Sequence, residues 1–517
     1  MFASSTGKWW ALGALALAGA VVGLDLTVLN LALPTLATKL HASSGELQWI
    51  VDAYSLVLAA MLLPAGLLGD RFGRKRLLVA ALVLFGAASL VCAYSPSAAG
   101  LVAARTVLGL GAAFIIPLSF AVLPVLFTER ERARALTVLI GMVMITYPVG
   151  PILGGWLLTH FWWGSVFLIN VPVVVLALIA VVVFMPESRG AERPRLDGSG
   201  IVISSLGLVG VTYGAIEAGE KGWVSVTALL PLLAGLILLS VFVLWERRTI
   251  RRHGQALLDL ELFRSPSFSW GTILATAVSF AMFGLIFSMP QYFQGVDGAD
   301  ALGSGLRLLP LIGGLIVGGV LADRLARAGG AKLTVALGFA FMAAALMVGA
   351  TTGMGTTYGF AAVWISALGV GLGFALPASM NAAIGQLSGE RSGVGSAVIQ
   401  AVRQVGGTIG VAILGSLMSS AYRSHVDVAG LPAAAAGAVR KGLFGGVAVA
   451  HQLGFGALLD SVRRAFVHGM DVMLLVCGGL AVAGMVLALV FLPRRSKSLE
   501  AAEALGVESE HELVADR

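Results

Sequence analysis

Asp25, Asp52 and Arg105 come first, because each is a charge set inside a long apolar stretch of this 517-residue chain. An ionised side chain is expensive in such surroundings and marks a place to look for function. Asp25 lies 8 residues before Leu33, where its stretch ends, so on a helix it sits ~12 Å from that end. Arg105 lies ~9 Å and Asp52 ~6 Å into their own stretches by the same rise. The three therefore fall in one layer, and pairing is the least costly way to bury them. Loss of water favours the neutral form of a carboxylic acid, so Asp25 or Asp52 can load and release a proton as access to water changes. Arg105 is expected to pair with one of them and to be displaced by proton or substrate. A permanent structural ion pair is the alternative, and the residues leave it open. Catalysis has no support. The seven histidines are scattered, with no His-Glu-x-x-His pattern, cysteine pair or phosphate loop. No enzyme activity, cofactor or metal is expected, and any work must draw on an ion gradient.

Positioning these charges requires helices that cross a bilayer. A hydrocarbon core ~30 Å thick needs about 20 apolar residues per helix. Fourteen stretches meet that need: 9–33, 48–68, 77–94, 99–127, 133–158, 166–185, 201–219, 224–245, 268–292, 302–322, 332–351, 358–384, 397–420 and 468–492. At 58% hydrophobic and 12% charged residues, the chain departs from the make-up of a water-soluble globule. The first stretch is too long for a cleaved leader and lacks a small-residue cleavage site, so it is expected to be retained. Cys92 and Cys477 each fall inside a stretch and imply neither a disulfide framework nor a metal spacing. When the stretches alternate in direction, 25 of the 34 Lys and Arg residues fall on one side and 8 on the other, with Arg105 within. That bias places both termini in the cytoplasm of a plasma-membrane protein. The net charge of +7 is then topology and lipid contact, not nucleic-acid binding.

The chain divides as six stretches, two, and six. Residues 1–197 form a first half, 198–265 a two-helix insert with a basic loop, and 266–497 a second half. A long outer loop at 421–467 alternates apolar and basic residues, suggesting amphipathic helix lying on the surface. Residues 498–517 are acidic and have the composition of an unfolded tail. The halves carry a repeat. Gly66-Leu-Leu-Gly-Asp-Arg-Phe-Gly-Arg-Lys-Arg76 follows the second stretch, and Gly319-Val-Leu-Ala-Asp-Arg-Leu-Ala-Arg327 follows the tenth. Repeat-built transporters place their substrate between the halves, near the midplane.

The Gly66–Arg76 segment resembles the loop signature between the second and third spans of the major facilitator superfamily. Leu24-Asp25-Leu-Thr-Val-Leu-Asn30-Leu-Ala-Leu-Pro34 resembles the first-span signature of that superfamily's fourteen-span drug:proton antiporter branch. Gln48-Trp-Ile-Val-Asp52-Ala-Tyr54 is similar to the start of the branch's second span, and Gly150-Pro151-Ile-Leu-Gly154-Gly155 to its fifth-span antiporter signature. The resemblance extends from Asp25 to Ala412. Two departures stand out. Trp162-Trp163-Gly164-Ser165 replaces an expected Arg between tryptophans, and the thirteenth stretch has Arg403 but no acid, which weakens the case for a specialist in dications.

The resemblance implies an all-α integral membrane protein of facilitator fold, two six-helix halves plus two inserted helices, fourteen in all. It implies proton coupling at Asp25, Asp52 and Arg105. Gating falls to Gly66, Gly69, Asp70, Arg71, Gly73, Arg74 and Lys75, which latch the halves when the protein is open outward. Asp70 can bond Arg71, Arg74 or backbone N–H groups. Gly150, Pro151, Gly154 and Gly155 form either a hinge and proton seal or simple helix packing. For substrate, Asp25, Asn30, Tyr54, Phe114, Met142, Tyr147, Phe283, Phe287, Gln291, Tyr292, Asn381, Gln400 and Gln404 are candidates. Aromatic faces with one acid suit a lipophilic monocation, methionine walls adapt to varied ligands, and amides avoid hydrocarbon. The expected function is proton-coupled antiport of hydrophobic, often cationic drugs or antibiotics by a monomer in the lipid bilayer. Rivals are a dedicated exporter of one metabolite or lipid, and a ligand sensor that transports nothing.

Overall fold

The computed structural model describes residues 5–189, 197–253, 261–384 and 389–492. The acidic tail at 498–517, the side chain of Tyr147 and that of Asp323 in the second-half echo of the loop signature lie outside the described residues.

Apolar runs become helices where hydrogen-bonding caps start them and glycine or proline interrupts them. The first half holds α1 (Ser5–Lys39), α2 (Ser44–Phe72), α3 (Arg74–Ala93), α4 (Ala98–Ala121), α5 (Leu123–Leu126), α6 (Glu129–His160), α7 (Ser165–Leu168) and α8 (Asn170–Phe184). The insert is α9 (Gly198–Lys221) and α10 (Val226–His253). The second half holds α11 (Pro266–Gln291), α12 (Ala301–Arg307), α13 (Leu309–Gly349), α14 (Tyr358–Ile384), α15 (Gly389–His425), α16 (Ala433–Arg440), α17 (Leu443–Leu453) and α18 (Gly456–Phe491). Ser43 and Glu46 start α2 with a reciprocal capping box. Ser97 and Asp197 accept from Gly100 and Gly200 at the starts of α4 and α9, at 3.1 and 2.9 Å.

Among the described residues, twelve helices are long and apolar enough to cross a membrane, or thirteen with α2, whose segments Ser44–Leu62 and Pro64–Phe72 meet at 54°. The expected count of fourteen exceeds that number; α6, 32 residues long, is not among them. The bend lies between Asp52 and Asp70, so the two are closer than the ~27 Å that 18 residues of straight helix would put between them. Pro64 removes a backbone hydrogen bond where the helix turns. The tenth and eleventh stretches run together as α13, broken at Gly330 with φ 80°, a conformation suited to glycine.

The long outer loop carries two helices, α16 and α17, that are tied to their neighbours: Tyr422 Oη donates to the Val439 carbonyl at 2.8 Å and Ser44 N donates to the Lys441 carbonyl at 3.0 Å. The last long helix begins at Gly456, twelve residues before the apolar stretch that starts at His468.

In the first half α1 packs on α6 and α8, α2 on α4, and α3 on α4 and α8; in the second, α11 packs on α14 and α15, and α13 on α14 and α18. The halves meet near the ends where α1 finishes and α2 begins, here the Lys39 end. Gln294 Nε2 donates to the Leu31 carbonyl at 3.1 Å. A Cβ on Gly155 would lie 2.6 Å from Leu302 Cα, so α6 and α12 approach backbone to backbone. The insert joins them there. Ser416 Oγ of α15 donates to the Ala215 carbonyl of α9 at 2.6 Å, and Ala215, Ile216 and Ala412 share a small apolar core with Trp49.

Candidate functional site

Five helices bring polar groups together inside the first half. Asp25 of α1 and Arg105 of α4 form an ion pair whose side chains are each 1% exposed. Two ions taken from water this completely persist only with good geometry and further hydrogen bonds. Both conditions are met. Arg105 Nη1 donates to Asp25 Oδ2, and Arg105 Nε donates to the Ile50 carbonyl of α2 at 3.2 Å. The guanidinium centre lies 4.3 Å from the Tyr54 ring centroid, a cation–π arrangement. Asn170, the first residue of α8, donates through Nδ2 to Asp25 Oδ1 at 3.2 Å and to Ser89 Oγ of α3 at 3.3 Å. Close approach of α2 and α4 is set by Gly109, where a Cβ would lie 2.5 Å from the Tyr54 carbonyl oxygen.

Sequence depth alone left Arg105 a choice of acids. The structure gives it Asp25, not Asp52. Two residues along a helix stand ~200° apart, so Asp52 faces away from Tyr54 and shares the side of Gln48, which Ser416 of α15 contacts. Asp52 is fully buried, and among the described residues neither of its carboxylate oxygens has a hydrogen-bond partner. The expected three-charge cluster is therefore a pair plus a separate acid.

Asn170 and Ser89 were not anticipated. The signal was present for Asn170, the amide in the otherwise apolar run 166–185; the rule that amides avoid hydrocarbon points to it.

The Gly66–Arg76 loop is ordered within its own half. Asp70 pairs with Arg74 at 2.7 Å. Arg71 lies over the Phe72 ring, 5.5 Å from its centroid. Glu187, beyond α8, accepts from Lys75 N at 3.1 Å and faces Arg76 at 3.6 Å, while Arg74 N donates to the Ser188 carbonyl at 2.9 Å. Gly73 has φ +113°, a conformation suited to glycine, and a Cβ there would lie 2.8 Å from the Glu187 carboxylate and push that side chain aside. Gly69 faces Leu118, and Gly66 faces Pro117 at 3.9 Å. Outside the spans, Lys8 donates to Glu131 at 2.5 Å, and that bond holds the Glu131 carboxyl below its usual range.

α6 runs unbroken through Pro151. Its glycines are contact points: Gly150 meets Thr27, Gly154 meets Val28 at 2.9 Å, and Gly155 meets Leu302. Packing is what the geometry displays. Several substrate candidates are likewise enclosed. Tyr54, Phe287 and Tyr292 are at most 1% exposed, and Tyr292 Oη donates to the Gly353 carbonyl. Asn30 and Gln291 spend their amides on the carbonyls one turn back, Leu26 and Phe287. Gln404 is buried, Gln400 accepts from Arg403 at 3.0 Å, and Asn381 is exposed. Phe114, Met142 and Phe283 are half-buried. Near the Lys39 end Arg307 pairs with Asp297 at 2.9 Å; burial raises the Asp297 carboxyl more than Arg307 and Arg463 lower it.

Residues 15–411 match the Major Facilitator Superfamily. The tetracenomycin C resistance and export protein of Streptomyces glaucescens is 32% identical over 493 residues, covering 93% of this chain and 91% of its own length. Methyl viologen resistance protein SmvA of Salmonella typhimurium is 33% identical, with coverage of 92% and 96%. Multidrug efflux pump LfrA of Mycolicibacterium smegmatis is also 33% identical, with coverage of 90% and 92%. Two solved structures share the fold. A bacterial homolog of the human lysosomal transporter Spinster, inward-facing and occupied, superposes with TM-score 0.69 at 17% identity over 94% of this chain and 98% of its own. A D-xylose–proton symporter gives 0.59 at 14% identity, with coverage of 93% and 99%.

Proposed function

This chain belongs to the Major Facilitator Superfamily, a family of transporters rather than enzymes, and from that premise we propose that it exports hydrophobic, often cationic drugs or antibiotics in exchange for protons. Its many apolar helices and its family make it a multi-pass membrane protein. The single observation that carries the proposal is the buried Asp25–Arg105 pair. A buried carboxylate held by one cation and one amide is a group whose protonation loosens a partner, and loosening a partner is how a proton can drive a change of access. Drug-resistance and efflux relatives over most of the chain supply the substrate class.

The finer organisation belongs to the same proposal. Fourteen crossings with both termini in the cytoplasm follow from counting α2 and α6 with the other twelve and from the arginine bias. The halves at 1–197 and 266–497 rock about the insert at 198–265. Contacts between the halves at the Lys39 end favour an inward-facing state, as in the Spinster homolog. In that state Asp70 rests on Arg74, free to latch the halves when the Asp70 end closes. Asp52 is a second proton acceptor, and the protein works as a monomer in the plasma membrane.

Ethidium efflux from proteoliposomes under an imposed pH gradient tests the proposal. Gradient-driven flux that Asp25→Asn abolishes in folded, inserted protein supports it. Equal flux in the variant moves coupling to Asp52. A second reading, a dedicated exporter of one natural product, is favoured by similarity to a tetracenomycin C resistance and export protein; transport of tetracenomycin C with ethidium ignored would select it.

A further inference from the structure

Asn170 is the least expected member of the buried site, and its hydrogen bonds are unequal in kind. One Nδ2 group donates to an ionised acceptor on α1, Asp25 Oδ1, and to a neutral acceptor on α3, Ser89 Oγ. A bond to a charged acceptor is about twice as strong as one between neutral groups. When Asp25 takes a proton that advantage ends, while the bond to Ser89 is untouched. The residue is placed to convert this difference into movement. It is 1% exposed, and among the described residues its own Oδ1 has no hydrogen-bond partner. It is also the first residue of α8, one past Ile169, where the backbone stays helical, with φ -59° and ψ -27°, between α7 and α8, and Pro172 follows two residues on.

We propose that Asn170 is the positioning residue that holds Asp25 ready for its proton and passes the protonation of α1 to α8 and α3. The inference rests on the proposed proton coupling at Asp25 and adds the element that reports it. The proton arrives on an Asp25 oxygen, the carboxylate charge is lost, Arg105 and Asn170 both lose their ionic acceptor, and Asn170 remains with Ser89. The tie between α1 and α8 is then weakened to a neutral hydrogen bond while the bond between α8 and α3 keeps its strength. Among the described residues the ionisable groups that face Asp25 are Arg105 from α4, Tyr54 from α2 and Cys92 from α3. α6 meets α1 with Thr146 and Gly150, neither of which titrates. Arg105 also donates two ways, but to Asp25 and the Ile50 carbonyl, so it ties α1 to α2 and α4; Asn170 ties α1 to α8 and α3.

The test reads coupling and protonation separately. In proteoliposomes carrying ethidium, Asn170→Ala is expected to displace the pH dependence of gradient-driven efflux by about one to two pH units toward higher pH. Substrate exchange without a gradient should be retained. Ser89→Ala should give a smaller displacement in the same direction, and the double variant no more than Asn170→Ala alone, as members of one network behave. In parallel, infrared difference spectra at pH 7 follow the protonated-carboxyl band that Asp25→Asn removes, and Asn170→Ala should strengthen it. If Asn170→Ala does not fold, Asn170→Ser, which keeps a shorter donor, is measured instead and should fall between. An unmoved pH profile with an unchanged band overturns the inference, as does a fall in exchange and efflux together at every pH. If the intact protein moves no ethidium under a gradient yet the Asp25 band still responds to Asn170→Ala, the transport reading fails while the assignment of Asn170 stands.

Discussion

Arg105 stacks its guanidinium 4.3 Å from the centre of the Tyr54 ring while the Tyr54 hydroxyl, fully buried, has no hydrogen-bond partner. The ring is used and the hydroxyl is not. Tyr54→Phe should therefore keep efflux and raise stability by about 1 kcal/mol, because an unpaired buried hydroxyl is removed. Tyr54→Leu should lose about 1–2 kcal/mol with the cation–π contact and slow transport. Thermal melting in detergent beside ethidium efflux checks both. A destabilised Tyr54→Phe would mean that the hydroxyl has a partner in the working protein.

Removing one member of a buried ion pair strands the other, at about 3–5 kcal/mol. Arg105→Gln should melt well below the parent. The double variant Asp25→Asn with Arg105→Gln strands nothing and should recover much of that loss, yet remain unable to couple flux to a pH gradient. Stability and coupling are thereby separated in one pair of proteins.

Gly73 adopts φ +113° with the Glu187 carboxylate where a side chain would go. Gly73→Ala should cost about 1–3 kcal/mol through backbone strain and displace Glu187 from Lys75 N. Glu187→Gln keeps the shape but loses the attraction to Arg76, a weak exposed contact at 3.6 Å, so its effect on melting should stay below about 1 kcal/mol. Equal losses in the two variants would show that the charge, not the turn, matters.

The proposed alternating access requires the Lys39 end to open and close. Gly155→Val places a Cβ 2.6 Å from Leu302 Cα, where the backbones already touch, so it should push α6 off α12, lower the melting temperature in detergent and reduce ethidium efflux. Unchanged melting and efflux would show that α6 and α12 need not close on each other during transport.

The Lys8–Glu131 bond gives a pH dependence of known sign. Lys8 holds the Glu131 carboxyl below its usual range, so the bond stabilises the fold above the unfolded value of ~4.3 and that contribution is lost as pH falls through the lower folded value. Comparing melting of the parent and Glu131→Gln at pH 7 and pH 3.5, the gap should narrow at the lower pH. A gap that widens on acidification would reverse the assignment.

Hydropathy and helical rise were enough to locate the helices and to put Asp25 and Arg105 at one depth, because both depend only on counting residues along a chain. What faces what was not legible. Asp52 shares the depth of Arg105 but points the other way, a matter of rotation that depth cannot supply. The bend at Pro64 was written in the sequence, yet proline inside a membrane helix signals a bend without its angle. The segment after Tyr422 reads as surface helix because its apolar residues alternate with arginine and lysine. It is tied to its neighbours by Tyr422 Oη, which finds a carbonyl at Val439, a partner 17 residues away that no local pattern announces.

The position of α9 has a consequence for motion. Ser416 of the second half holds the Ala215 carbonyl of α9 and touches Gln48 of the first, and Trp49 of α2 lies 6.2 Å from Tyr213 of α9, ring to ring. α9 is therefore a keystone set into the joint, with α10 packed on it, rather than a passenger beside it. Two bodies that share a keystone cannot separate along that seam without choosing which of them keeps it. In the proposed transport cycle, whichever side α9 follows, the opposite seam, where α6 meets α12, would open wider, like a door whose hinge is built into one jamb.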